Sequence, residues 1–147
     1  MEWKKVKFEE LENQELYKIL QLRNKVFVVE QNCIYQDADD NDEKAIHIFL
    51  RNKNEIVTYL RILKPGNYFE NASIGRVVTN PKYRNKSFAK KAIRMAIKHI
   101  FNEWNQNQIE ISAQTYLIEY YKKLGFETKE NEYLEDGIPH IRMINKK

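Results

Sequence analysis

Apolar and charged residues alternate over 3–8, where Trp3, Val6 and Phe8 oppose Lys4, Lys5 and Lys7 with one slip in phase, and this predicts a first strand. From Asn13 the period lengthens. Leu16, Ile19, Leu20, Arg23, Val26, Phe27 and Glu30 fall on one stripe of a helix. Two β-rich runs, 45–50 and 55–63, flank the turn-forming Asn52-Lys53-Asn54 and read as a hairpin, after which Lys64-Pro65-Gly66-Asn67 breaks the chain. The β-branched run 73–79 is the central strand. It passes through 80–84 into a long amphipathic helix ending near Trp104, with Ala89, Ala92, Ile93, Ala96, Ile97, Ile100 and Phe101 on one face and Lys90, Lys91, Arg94, Lys98 and Glu103 on the other. A fifth strand over 109–114 and a short helix over 115–124, stopped by Gly125, follow. Glu135-Asp136-Gly137 then turns a closing hairpin between Tyr133-Leu134 and 138–143, and Pro139, which lacks an N–H, marks an edge or bulge able to re-aim His140. Strand and helix in this order predict an α/β (α+β) fold, a mixed sheet with helices on both faces.

Composition narrows the picture. At 147 residues the chain reads as a single domain, 1–147, long enough to bury a core without staples. The formal net charge of +4 comes from lysines scattered among nearly as many acidic residues, not from an arginine-rich run interleaved with aromatics, so a nucleic-acid partner is not expected. Cys33 is the single cysteine, which excludes an internal disulfide, and no apolar run follows Met1-Glu2-Trp3-Lys4-Lys5. The expectation is a cytoplasmic protein without a membrane span. Asn71-Ala72-Ser73 matches a glycosylation sequon by chance on that reading.

Several residues carry candidate chemistry. The loop before the long helix offers what an anion needs: backbone N–H groups at a helix N-terminus, with Arg84, Lys86, Lys90 and Lys91 nearby. Arg23 and Glu30 interrupt an apolar stripe, so each must either meet a partner or border a solvated pocket. The run 37–43 imitates the start of a calcium loop. It fails as one because Asp42 stands where a glycine must turn and Ile48 where a bidentate glutamate must close the shell, and it reads as an acidic, mobile, solvated connection. His47 is a candidate pocket group or a hydrogen-bonded strand histidine.

Arg84-Asn85-Lys86-Ser87-Phe88-Ala89 resembles the acyl-CoA loop of the GNAT N-acetyltransferase superfamily, an Arg or Gln, two residues, a Gly, one residue, then Gly or Ala. Ser87 stands at the usual Gly, and Asn85 at another common Gly position. Two further segments, Arg23-Asn24-Lys25-Val26-Phe27-Val28-Val29-Glu30-Gln31 and Tyr133-Leu134-Glu135-Asp136-Gly137-Ile138-Pro139-His140, resemble the ElaA-like branch of that superfamily. The resemblance implies a mostly antiparallel sheet of about six to seven strands whose central pair splays apart to admit a pantetheine arm.

On that resemblance Arg84, Asn85, Lys86, Ser87, Phe88, Ala89 and Lys90 hold pyrophosphate, the backbone of Val77 and Val78 follows the arm, the Val78 N–H polarises the thioester, and Gln114 sits at the mouth. Tyr121, four residues before Gly125, lies by the sulfur as general acid, where helical period alone would make it a core aromatic. The general base is Glu30 or His140. Arg23, Phe27, Glu30, His47, Arg76 and His140 border the acceptor. The activity implied is direct transfer of an acetyl group from acetyl-CoA to a small-molecule amine, with no metal and no covalent enzyme intermediate, in a monomer or a homodimer. Two other readings remain open at this level: a non-catalytic acyl-CoA-binding module, suggested by the lost glycines, and an acyl-homoserine-lactone synthase, suggested by the Arg23-to-Phe27 pattern.

Overall fold

The computed structural model describes residues 1–147. Seven strands form one sheet: β1 (Glu2–Lys7), β2 (Ile46–Asn52), β3 (Glu55–Leu63), β4 (Ala72–Thr79), β5 (Gln108–Gln114), β6 (Phe126–Glu135) and β7 (Ile138–Lys146), in the order β1-β2-β3-β4-β5-β7-β6. Every neighbouring pair is antiparallel except β4 with β5. That pair touches only at Ala72↔Ile109 and Ser73↔Glu110, so the two strands part beyond Ser73 and leave a gap in the middle of the sheet. The mixed, mostly antiparallel, splayed sheet implied by the resemblance is the one observed.

Helices cover both faces. On one lies α1 (Asn13–Arg23), extended by a π-helical stretch Asn24–Glu30. It packs Ile19, Leu22 and Val26 on Phe49, Ile56, Tyr59 and Val78. On the other lie α2 (Phe88–Lys98), which also ends in a π-helical turn, and the short α3 (Ile118–Lys122). There Ala92, Ile93, Ala96 and Ile100 meet Ile48, Leu60, Ile62, Ile74 and Ile109 in the larger core, while Lys91, Arg94 and Lys98 stay exposed as the amphipathic pattern requires. No helix is long and apolar enough to cross a membrane.

Turn chemistry follows local sequence closely. Asp136 and Gly137 both take positive φ, 50° and 79°, which is the two-residue hairpin turn that Asp-Gly favours. Gly125 turns at φ +100°, and a Cβ there would stand 2.9 Å from Asn145 Nδ2, a side chain already committed to the Leu124 carbonyl.

Two expectations are corrected. β6 begins at Phe126, well before Tyr133, because an exposed polar run of edge strand shows no alternation to read. Pro139 lies in an interior strand, yet opposite Leu134 and one step past the last β5 partner, Gln114↔His140, where the ladder toward β5 has ended.

Candidate active site

Two irregularities of β4 shape the site. Register slips between Tyr59 and Arg61 of β3, so Arg76 and Val77 together oppose Leu60, and Arg76 takes φ 54°. Such a bulge leaves an unpaired residue and turns side chains away from the regular pleat. Here it sends Arg76 and Val77 toward the gap between β4 and β5. Gly75, beside the bulge, has nothing within 4 Å of where a Cβ would stand, which leaves room over the strand.

The gap opens into a cavity of about 550 Å³ lined from both faces of the sheet. Phe27 and Gln31 enter from the end of the first helix, Val77 and Gln114 from the parted strands, and Tyr121 from α3. Tyr121 is 7% exposed, its hydroxyl makes no hydrogen bond within the chain, and burial pushes the phenol well above its ordinary value, so it stays protonated. The expected inward placement of Tyr121 therefore holds.

After Thr79 the chain leaves β4 through Pro81–Tyr83, capped by Asn80 Oδ1 accepting from Lys82 N–H at 3.2 Å, and enters α2 through two left-handed residues, Asn85 (φ 65°) and Ser87 (φ 62°). These are the two positions where the acyl-CoA loop pattern has glycine. The conformation that glycine serves is kept with Asn and Ser in its place, and Asn tolerates it best of the non-glycine residues. Ser87 O accepts from Lys91 N–H at 3.2 Å, the first bond of α2, while the N–H groups of Asn85, Lys86, Ser87, Phe88, Ala89 and Lys90 find no acceptor in the chain. A run of unpaired amides at the positive end of a helix has the chemistry to hold an anion.

Arg84 does not point into that nest. Its guanidinium forms a two-bond pair with Glu30, Nη2 to Oε1 at 2.6 Å and Nη1 to Oε2 at 3.0 Å, and ties the end of the first helix to the loop. Hydrogen bonding from Arg84 holds the Glu30 carboxyl below its usual range. Glu30 also stays outside the cavity lining, so of the two base candidates it is the poorer one.

His140 is the better one. Ile138 O can only accept, so the 2.7 Å contact to it places a proton on Nδ1, and Nε2 stands 3.5 Å from Glu135 Oε2, which pairs with it whenever the ring carries its second proton. The ring stacks on Tyr133. Ser112 hydrogen-bonds the Tyr133 hydroxyl and donates to Glu135 Oε1 at 3.2 Å, and Ser112, Glu135 and His140 all line the cavity. Ser112 is missed by sequence reading, although it shares a strand face with Gln114 two residues on.

Three site expectations are overturned by geometry. Arg23 is fully buried and stands outside the cavity lining: Nε donates to Asp37 Oδ2 at 2.7 Å and Nη1 to Asp42 Oδ1 at 2.8 Å. His47 is equally enclosed. Its Nε2–H donates to the Asp42 carbonyl at 2.9 Å and its Nδ1 accepts from the Tyr59 hydroxyl at 2.7 Å, so it braces the 37–42 loop and borders no acceptor. Val78 faces the core under the first helix. Because Asn80 N–H bonds Val57 O directly opposite, alternation puts Val78 in the next hydrogen-bonded pair with Tyr59, and its N–H faces β3 and not the gap.

The acidic run is corrected as well. Asp37, Asp39 and Asp42 are not solvated but close a network with Arg23, Arg61 and Arg76: Arg61 grips both Asp39 oxygens at 2.7 and 2.8 Å and reaches Asp42 at 2.9 Å, while Arg76 Nε donates to Asp37 at 2.8 Å. Burial acts to raise the Asp39 carboxyl, but Arg61 and Arg76 outweigh it and hold it well below the usual carboxylate range. Arg61, invisible to pattern reading inside an apolar strand, sits on the cavity wall beside Arg76.

A splayed mixed sheet, a helix after β4 that starts with unpaired amides, and a protonated tyrosine on the gap make up the architecture of the GNAT acyltransferase family. The chain belongs to this family: the model of the acetyltransferase (GNAT) domain matches residues 9–147. It is 37% identical over 148 residues to protein ElaA of Escherichia coli (strain K12), covering 99% of this chain and 97% of ElaA. The crystal structure of E. coli ElaA superposes with a TM-score of 0.90 over 99% of this chain and 100% of that one. An acyl-CoA N-acyltransferase from Pseudomonas aeruginosa superposes with a TM-score of 0.91 at 34% identity, over 99% of both chains. The fold alone is shared, at 12% identity and a TM-score of 0.74 over 99% of this chain and 97% of that one, with an aminoglycoside 6'-N-acetyltransferase complexed with coenzyme A.

Proposed function

We propose that this chain binds acetyl-CoA and transfers its acetyl group directly to the nitrogen of a small-molecule amine. The observation that carries the reading is the run of unpaired amides from Asn85 to Lys90, which follows the end of β4 on the side where β4 and β5 part, together with the cavity in that gap that Tyr121 and His140 line. Pyrophosphate sits on those amides, with Lys86 and Lys90 adding charge, and the pantetheine arm extends the interrupted sheet between Val77 and Gln114. Acetyl-CoA use is also in keeping with the aminoglycoside acetyltransferase of the same fold, which was crystallised with coenzyme A.

In the transfer, the amine nitrogen attacks the thioester carbonyl, a C–N bond forms and the C–S bond breaks. His140 Nε2 takes the proton the amine loses, directly or through one water, and Glu135 stabilises the imidazolium. Tyr121 gives its phenolic proton to the departing thiolate and regains one from solvent. The β4 bulge, whose backbone is released from the β3 ladder at Arg76 and Val77, supplies the group that polarises the carbonyl. No side chain forms a covalent intermediate.

The test is the melting temperature with and without acetyl-CoA, followed by an amine screen for released thiol. Ligand at a hundred times its dissociation constant stabilises by about 2.7 kcal/mol, a rise of several degrees for a domain of this size. An Ala89→Asp variant, carrying a negative side chain among the amides, is expected to lose that rise. An unshifted wild-type protein at millimolar acetyl-CoA would overturn the reading. A clear shift with no thiol released from any amine would leave the non-catalytic acyl-CoA-binding module.

A further inference from the structure

The cavity extends under the 31–42 loop, from which Gln31, Cys33, Tyr35, Gln36, Asp39 and Asn41 line it. Its charges are distributed unevenly. On the β3–β4 side the three arginines and three aspartates of the network cancel. On the β6–β7 side Glu135 has no lysine or arginine partner; it accepts from Ser112 Oγ at 3.2 Å and lies 3.5 Å from His140 Nε2. The phenol of Tyr68, on the loop between β3 and β4, feels both sides: burial raises its pKa, Glu135 and Asp39 add to the rise, and Arg76 and Arg61 oppose it. Arg61 on β3 and Arg76 on β4 stand on one side of the β4–β5 gap and Glu135 on β6 on the other, and all three line the one cavity together with Tyr68.

The arginine wall also keeps unspent donors. Arg76 uses Nε on Asp37 Oδ1 and Nη2 on the Asp37 carbonyl and Asp39, while Nη1 makes no bond within the chain. Ser73 is 4% exposed and lines the cavity, and its hydroxyl likewise has no partner in the chain. It is not among the side-chain atoms sealed from solvent, so the hydroxyl opens onto the cavity. Leu63↔Ser73 and Arg61↔Gly75 are directly opposed pairs, which puts Ser73, Gly75 and Arg61 on the same face. With no side chain at Gly75, the space above these donors is open.

A cavity-facing hydroxyl and a guanidinium nitrogen, neither with a partner in the chain, suit an acceptor oxygen, and a carboxylate that no lysine or arginine pairs suits a cation. We propose that the acceptor is an amino-acid-like zwitterion: its amine lies against Glu135 and His140, and its carboxylate takes Arg76 Nη1 and the Ser73 hydroxyl across the cavity. A plain alkylamine satisfies one wall only. A diamine places its second cation against the arginines.

This rests on the acetyl-transfer reading, and the experiment separates the two. With protein shown by thermal shift to bind acetyl-CoA, thiol release is measured for matched sets: glycine, β-alanine, 4-aminobutyrate and lysine, each against its carboxamide, the carboxylate-free alkylamine and the diamine of equal length. At least one amino acid is expected to exceed its amide, alkylamine and diamine in kcat/KM by about tenfold or more, the worth of one charged bidentate contact. Ser73→Ala and Arg76→Gly, the latter suited to the positive φ, should raise KM for that amino acid and leave its amide within about twofold. Circular dichroism checks that both variants fold, and Ser73→Ala, which breaks no ion pair, decides the matter if Arg76→Gly does not fold. Amides, alkylamines or diamines equal to or better than the amino acids overturn the zwitterion inference and leave acetyl transfer standing, as does a panel with no acetylated amino acid. Absence of acetyl-CoA binding overturns the transfer reading, and the inference falls with it.

Discussion

Tyr121 and His140 illustrate how one side chain acquires a role from its surroundings. Tyr121 is a core residue by burial, packed against Phe126 and Tyr120, yet its hydroxyl is left to the cavity. Tyr121→Phe keeps the packing and removes the proton. Turnover is expected to fall by roughly 10²–10⁴-fold with the KM for acetyl-CoA little changed, and retention of wild-type kcat across pH would sink the acid assignment. Glu30 and His140 separate in the same way. Glu30→Gln is expected to leave kcat within a few-fold, because the carboxylate is spent on Arg84, whereas His140→Gln should cost orders of magnitude. The reverse order in steady-state kinetics would reassign the base. Ser87 is a third case, a serine held at φ 62°. Ser87→Gly should retain both fold and acetyl-CoA binding, while the β-branched Ser87→Val should lower stability by about 1–2 kcal/mol in denaturant unfolding.

Strands and helices here place backbone as much as side chains. The β4 bulge opens the gap, and the turn into α2 leaves its first amides unpaired. The bond pair between Arg84 and Glu30 joins the first helix to that turn, but both groups are about 40% exposed, so removing either is expected to change folding stability by less than about 1 kcal/mol. A double-mutant cycle on Glu30→Gln and Arg84→Gln measures this, and a coupling above 2 kcal/mol would show that the pair holds the loop together. The network of the 37–42 loop is different. Arg23 has no exposure, and Arg23→Leu, which strands Asp37 and Asp42 without it, is expected to cost about 3–5 kcal/mol.

Stability of the whole domain inherits a pH dependence from that network. Asp39 and Asp42 are both held below the usual carboxylate range by their arginines despite burial. A carboxylate whose folded value lies below its unfolded one contributes stability that is fully present above the unfolded value, near 4, and is lost as pH falls toward the folded value. The melting temperature should therefore drop steeply below about pH 4. His47 adds to the loss at milder acidity, since burial lowers its folded value and protonation favours the unfolded chain from about pH 6.5 downward. In Asp39→Asn the melting temperature at neutral pH should be lower and its fall in acid shallower. A profile parallel to that of the wild type would mean that the network does not couple to folding.

Much of this architecture was legible beforehand. Local periodicity identified five strands and three helices because each buries one face, and the Asp-Gly turn and Gly125 announced themselves through backbone conformations that few residues adopt. The anion loop was legible despite its missing glycines, since a helix start exposes amides whatever the side chains. Arg23 and Asp42 lie nineteen residues apart and Arg61 nineteen beyond, so nothing local distinguishes a solvated acidic loop from the closing half of a buried network. His47 and Val78 were misplaced for a related reason: a period says which face a residue takes, not what stands opposite. The chain by itself determined most of its elements, the family it resembles and the helix start after β4 whose amides lie unpaired, which depend on neighbours in sequence. Tertiary structure alone decided that Glu30 is spent on Arg84, that Arg76 sits in a bulge, and that Glu135 and Ser73 line one cavity, because charge pairing and register join residues that only folding brings within reach.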